Sequence, residues 1–84
     1  MKAKHAQTLE RIFSRPVSGS VRWSNAEALL LALGAEIVEA AGSRIRVFLF
    51  NEVRVFHRPH PSPDMDKGAV AALRKCLEAN GVTP

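Results

Sequence analysis

Apolar side chains at helical spacing predict two helices in the first part of the chain. The first covers about residues 4–14 and ends before Arg15-Pro16, because the residue that precedes a proline avoids the helical region. The second begins at Ser24, which forms a capping-box pattern with Glu27, and it ends at Gly34. Its buried stripe is predicted to consist of Ala26, Leu29, Leu30 and Leu33.

An alternating pattern replaces the helical one after Gly34 and predicts three antiparallel strands. Residues 36–39 form a short strand, and Ala41-Gly42-Ser43 supplies a turn. The next strand covers residues 44–50, in which Ile45, Val47 and Leu49 recur at every second position. A hairpin connection at Asn51-Glu52 then leads to a returning strand over residues 53–58.

Three prolines, at positions 59, 61 and 63, exclude any regular element from that stretch and predict an irregular loop. A last helix follows, because Val70, Leu73 and Leu77 line one helical face and Gly81 ends it. Asp64 and Asp66 suit the positive N-terminal end of that helix. The predicted order is α-α-β-β-β-α, which is an α+β fold in a single domain of residues 1–84.

The composition is that of an ordinary folded domain with a basic surface. Hydrophobic residues make up 46% of the 84 positions and charged residues 24%, and the formal net charge is +4. A positive surface favours a polyanionic partner, although it also serves solubility alone. The one cysteine, Cys76, lies in no zinc-binding pattern, and no apolar run is long enough to cross a bilayer. We therefore expect a cytoplasmic protein without a membrane partner or a zinc site.

Several short motifs follow one another from the second helix to the end of the chain. They are Gly34-Ala35-Glu36-Ile37-Val38, Gly42-Ser43, His60, Lys67-Gly68 and Asn80-Gly81-Val82. In these motifs, over about residues 25–83, the chain resembles the HicA family of bacterial toxins. The first helix, over residues 4–14, lies outside the resemblance and extends the family-like core at its N-terminus.

The resemblance implies a fold like that of a double-stranded-RNA-binding domain, with a three-stranded antiparallel sheet packed on helices. It also implies a toxin that cleaves messenger RNA without a metal or a small-molecule cofactor and that a HicB-type antitoxin neutralises. One position departs from the family, because Arg44 replaces the histidine that follows Gly-Ser in typical members. Arginine stays protonated at any pH that a cell reaches, so it can bind phosphate but cannot accept a proton.

Two histidines are the candidate catalytic residues. Metal-independent cleavage of RNA needs a base for the ribose 2′-hydroxyl and an acid for the leaving 5′-oxygen, and imidazole serves both roles near neutral pH. His57 and His60 lie within the family-like region. A short hairpin at Asn51-Glu52 pairs Arg46 with His57 and brings Arg44 near Pro59, whereas a three-residue loop turns His57 to the opposite face. His60 can alternatively bind RNA without proton transfer or be structural, and His57 can simply bond to backbone.

The candidate RNA-binding residues are mostly cationic, namely Arg44, Arg46, Arg58, Lys67 and the hydroxyl residue Ser43. Four arginines, at positions 44, 46, 54 and 58, fall within fifteen residues that contain one acid, and this density attracts phosphates. The alternatives are a solvated sheet edge for the arginines, a turn for Ser43 and an exposed helix face for Lys67. The aromatic residues Trp23, Phe48, Phe50 and Phe56 are expected in the core, with stacking on RNA bases as the alternative for the phenylalanines.

Three hypotheses cover these observations. The first is a HicA-type endoribonuclease of single-stranded messenger RNA, and the second is a module of the same fold that binds RNA or its antitoxin but lost cleavage with the change to Arg44. The third, a structural adaptor, requires that the resemblance be accidental. A HicB-like reading frame beside the gene favours the first two hypotheses, and cleavage of RNA in excess chelator separates the first from the second.

Overall fold

A computed structural model describes residues 2–84 and confirms the predicted order of helices and strands. The elements are α1 (Ala3–Ile12), α2 (Trp23–Ala32), β1 (Glu36–Glu39), β2 (Arg44–Leu49), β3 (Glu52–His57) and α3 (Lys67–Ala79). The three strands form one antiparallel sheet in the order β1-β2-β3. The α+β architecture follows from the switch between a 3.6-residue and a 2-residue hydrophobic period along the chain. No helix within residues 2–84 has the length and apolarity needed to span a membrane.

The N-terminal ends of α2 and α3 are formed in different ways. The prediction of a capping box at Ser24 was wrong, because α2 begins at Trp23 and its N-cap residue, Arg22, makes no side-chain capping bond. The backbone N–H of Trp23 instead donates to the carbonyl of Pro63 at 3.0 Å. Asp66 caps α3 as a carboxylate at a helix N-terminus does, since its Oδ1 accepts from the N–H of Ala69 at 2.7 Å.

The hairpin between β2 and β3 turns one residue earlier than predicted. Phe50 and Asn51 occupy the turn with φ of 55° and 60°, as a tight primed turn requires. The predicted pairing of Arg46 with His57 was therefore wrong, because Arg44 lies opposite His57 and Arg46 lies opposite Val55. The partner of Arg46 is thus displaced by two positions along β3 from the predicted one. Because side chains alternate between faces with a period of two, His57 still lies on the same face as both arginines.

One face of the sheet packs against the helices and the other is open to solvent. Ile45, Val47 and Phe56 are buried, and the ring of Phe56 lies 5.9 Å, centroid to centroid, from that of Trp23. Core packing is thus confirmed for Trp23 and Phe56, and Phe50 is half-buried against the same core. The prediction of core packing was wrong for Phe48, which lies on the open face with 38% of its surface exposed.

Candidate functional site

The open face of the sheet presents two arginines and a histidine among exposed apolar side chains. We call it the arginine face, and it consists of Glu36, Val38, Arg44, Arg46, Phe48, Val53, Val55 and His57. Alternation along a strand places residues 44, 46 and 48 of β2 on this face, because the intervening residues 45 and 47 are buried. Cross-strand pairing then adds the β3 residues that lie opposite them.

Arg44 and Arg46 are the sheet arginines that have no ion pair within the described residues. Arg58 pairs with Glu39, and Arg54 pairs with Glu52 at 3.3 Å. Arg54 also lies on the helix side of the sheet, where interaction with the Cys76 sulfur and then with Glu52 raises the pKa of its guanidinium. Among the sheet arginines, the guanidinium groups that no carboxylate pairs with therefore lie on the arginine face.

The two candidate catalytic histidines line one cleft. This histidine cleft, of about 450 Å³, lies between β3, the proline loop and the first turns of α3. His57, Arg58 and His60 contribute to its walls, and both imidazole groups are exposed. The loop is held in place from the opposite side, because the N–H of Met65 donates to the carbonyl of Val21 at 2.8 Å.

A smaller pocket of about 200 Å³ adjoins the histidine cleft and contains two more of the predicted residues. Ser43, Arg44 and Glu39 line it together with Arg58, which also lines the histidine cleft. The turn and the end of β3 are tied by the bond from the N–H of Arg58 to the carbonyl of Ser43, at 2.8 Å. The structure thus brings Ser43, Arg44, Arg58 and both histidines into one continuous region.

Comparison with protein families identifies the chain over residues 23–82. The sequence model of the family described as the HicA toxin of bacterial toxin-antitoxin systems matches residues 23–82. The chain belongs to the HicA toxin family. Its members are toxins of toxin-antitoxin pairs, so an antitoxin is the expected partner. No curated protein and no solved structure matches the chain.

The family range begins at the first residue of α2, so α1 lies outside the part that is matched to HicA. Two predicted RNA-binding residues of this HicA protein also lie apart from the histidine cleft. Arg46 is one row further along the arginine face, opposite Val55. Lys67 lies against Gly19 in the loop before α2, where an added Cβ would approach its Cε to 3.3 Å.

Two carboxylates of the histidine cleft were not predicted as site residues. Asp64 and Asp66 line it, although the sequence only indicated that both suit the start of α3. Asp66 does cap the start of α3. Its closeness to His60 along the sequence was the one sequence feature that indicated a place in the cleft. A carboxylate beside an imidazole can orient the ring and stabilise its protonated form. Within residues 2–84, no group of three or more histidine, cysteine or acidic side chains is arranged to hold a metal ion.

Proposed function

We propose that this HicA-family protein is an endoribonuclease toxin that cleaves single-stranded messenger RNA and is neutralised by a HicB-type antitoxin. The observation that carries the proposal is the meeting of His57 and His60 in one cleft that adjoins the pocket of Arg44. Two imidazoles and a guanidinium are the groups that cleavage of a phosphodiester by proton transfer needs.

The charge distribution supports the binding of an RNA strand across the arginine face into the histidine cleft. Asp64 and Asp66 reduce the positive potential inside the cleft, and Arg58 is partly neutralised by Glu39. The unpaired guanidinium groups of Arg44 and Arg46 therefore supply the attraction for the phosphates. Phe48 extends the same face with an exposed ring on which an unpaired base can stack.

The proposed reaction is transfer of the phosphoryl group to the neighbouring ribose oxygen. One imidazole of the cleft takes the proton of the 2′-hydroxyl, whose oxygen attacks phosphorus and forms a 2′,3′-cyclic phosphate. The bond from phosphorus to the 5′-oxygen breaks, and the second imidazole, in its protonated form, gives that oxygen a proton. We assign these roles to His60 and His57, and phosphate binding to Arg44 with Ser43 beside it.

Purified protein incubated with a fluorescently labelled single-stranded RNA in excess chelator tests this assignment. We expect cleavage by the unmodified protein and a loss of about 100-fold or more in kcat for His60→Ala, because general acid-base catalysis contributes on that scale. His57→Ala is the second variant. His5→Ala is the matched control, since His5 lies in α1 and lines neither the histidine cleft nor the adjoining pocket.

The outcomes separate the two functions that the family allows. Cleavage that survives in both His57→Ala and His60→Ala contradicts the assignment of the base. Binding of RNA without cleavage by the unmodified protein supports the second candidate, a HicA-like module that lost catalysis. The position of Arg44 at the sheet end, after Gly42-Ser43, is the observation that favours this second candidate, because a guanidinium cannot act as the base.

The antitoxin part of the proposal is tested by co-expression with a HicB-type protein encoded beside the gene. The arginine face carries apolar side chains that are more than half exposed, with Val53 at 55% and Val55 at 54%. Clustered exposed apolar side chains often mark a surface that binds another protein. We expect the antitoxin to cover this face and to block RNA cleavage. Val55→Asp then weakens the complex, whereas Leu31→Asp, at an equally exposed site on α2, leaves it unchanged.

A further inference from the structure

A second basic cleft lies at the N-terminal end of the molecule, outside the site described above. We call it the N-terminal cleft; it has a volume of about 80 Å³ between α1, the loop before α2 and the first turn of α2. Eight residues line it, of which three are cationic and none is acidic: Lys4, Gln7, Thr8, Arg11, Ser20, Val21, Arg22 and Asn25.

The three cations of the N-terminal cleft have no carboxylate partner. Within residues 2–84, ion pairs form at Arg54 and Arg58, but not at Lys4, Arg11 or Arg22. Asp64 lies opposite Arg22 in an isolated backbone bridge, but its side chain lines the histidine cleft and makes no ion pair with Arg22. Three like charges thus converge on one small concavity, where a bound anion would relieve their mutual repulsion.

The first turn of α2 and two buried residues surround the three cations. The first turn of α2 carries no acidic side chain, and its N-cap residue Arg22 makes no side-chain capping bond, so no side chain of that turn neutralises the positive end of the helix. The N–H groups of Trp23 and Asn25 already donate to the carbonyls of Pro63 and Arg22, so the cationic side chains would hold the anion. Thr8 and Val21, which also line the cleft, are buried. Arg11 is oriented by a long hydrogen bond, at 3.5 Å, from Nη1 to the carbonyl of Ser20.

We propose that the N-terminal cleft is a phosphate-binding site and that it holds a phosphodiester group of the RNA strand. The RNA part of this inference rests on the function proposed above, whereas the phosphate part rests on the cleft alone. Lys4 and Arg11 are on α1, which the family match does not include, so the site is an addition that this chain makes to the family core. Lys67 borders the loop that forms one wall and extends the positive surface towards α3.

Titration of the ¹⁵N-labelled protein with inorganic phosphate, at constant ionic strength, tests the phosphate part. We expect saturable shifts of the backbone amide signals of residues 20–25 and of the Arg11 and Arg22 side-chain signals. The variant Arg11→Gln/Arg22→Gln should lose them while keeping a dispersed, folded spectrum, because both side chains are exposed. Lys4→Gln, which leaves the Arg11 bond to Ser20 intact, should weaken them. Absence of saturable shifts in the unmodified protein, or their persistence in the double variant, overturns the site.

Binding of a non-cleavable 2′-O-methyl single-stranded oligonucleotide, followed by fluorescence anisotropy over a range of salt, tests the RNA part. The matched control is Arg15→Gln/Lys75→Gln, which removes the same charge from exposed residues outside the cleft. We expect Arg11→Gln/Arg22→Gln to bind roughly tenfold more weakly than this control, with a salt slope smaller by about 0.7 for the lost phosphate contact.

Equal affinity and equal slope in the two double variants overturn the assignment of the cleft to RNA. If the unmodified protein binds no oligonucleotide, the function proposed above fails together with the RNA part. The phosphate titration tests the anion site independently of RNA. A failure of the proposed function can therefore be told apart from a failure of the phosphate site.

Discussion

Arg44 of β2 lies directly across from His57 of β3, in a row of the sheet that faces away from the helices. Residues opposite each other in an antiparallel pair have Cβ atoms about 4.5–5.5 Å apart, so backbone pairing holds the guanidinium and the imidazole side by side. The end of that row is fixed by the bond between the N–H of Arg58 and the carbonyl of Ser43. We expect a phosphate bound by Arg44 to lie beside the histidine cleft.

Arg44→His should raise the rate of RNA cleavage by about tenfold or more, because it adds a group that can accept a proton opposite His57. The same substitution restores the Gly-Ser-His pattern that the family resemblance implies. Cleavage of labelled RNA in excess chelator measures the effect. Arg46→His is the control, since it introduces the same group one row further from the cleft. Equal rates for the two variants would contradict the importance of position 44.

Arg46→Ala should weaken binding of single-stranded RNA several-fold, because it removes an unpaired charge from the arginine face. Arg54→Ala makes the same change in net charge, but Arg54 lies on the helix side of the sheet and is paired with Glu52. We expect the second variant to have a clearly smaller effect in anisotropy measurements at the same salt concentration. Equal losses would show that only the total charge of the protein matters.

Glu39→Gln should strengthen RNA binding several-fold, because it frees the guanidinium of Arg58 and removes a negative charge from the pocket of Ser43 and Arg44. The variant should lose little stability, since an exposed ion pair contributes at most about 1 kcal/mol. Glu10→Gln is the control with the same charge change in α1. A fall in affinity in Glu39→Gln would indicate that the ion pair positions Arg58 for binding.

Leu30→Ala should lower the free energy of unfolding by about 2–5 kcal/mol, because the side chain is 1% exposed and its loss leaves a cavity. The neighbouring Leu31 is 54% exposed, so Leu31→Ala should change stability by less than about 0.5 kcal/mol. Urea denaturation followed by circular dichroism compares the two variants. Similar losses would contradict the assignment of the buried face of α2.

Asp66→Ala should cost about 1 kcal/mol of stability, because it removes the side-chain acceptor that caps α3 at Ala69. Asp64 lines the same cleft but makes no side-chain capping bond to a helix, so Asp64→Ala should cost less. Urea denaturation measures both variants. A larger loss in Asp64→Ala would show that the proline loop, and not the helix cap, depends on these carboxylates.

Tertiary contacts account for the places where sequence patterns mispredicted the fold. The hydrogen bond from Trp23 to the carbonyl of Pro63 starts α2 one residue before Ser24, and no local capping pattern encodes that distant partner. Phe50 takes a positive φ that an aromatic residue rarely adopts, while its ring packs against the core. With the turn at Phe50-Asn51, the residue that lies opposite His57 is Arg44 and not Arg46.

The sequence by itself determined the six elements, their order and the family, because hydrophobic periods and short motifs are properties of neighbouring residues. It also determined which residue types are available for chemistry, including His57 and His60. Only the tertiary structure decided that these histidines share a cleft with Asp64 and Asp66, and that Arg44 and Arg46 stay unpaired while Arg58 meets Glu39. These relationships depend on the strand register and on loop contacts between distant residues, which no local pattern specifies.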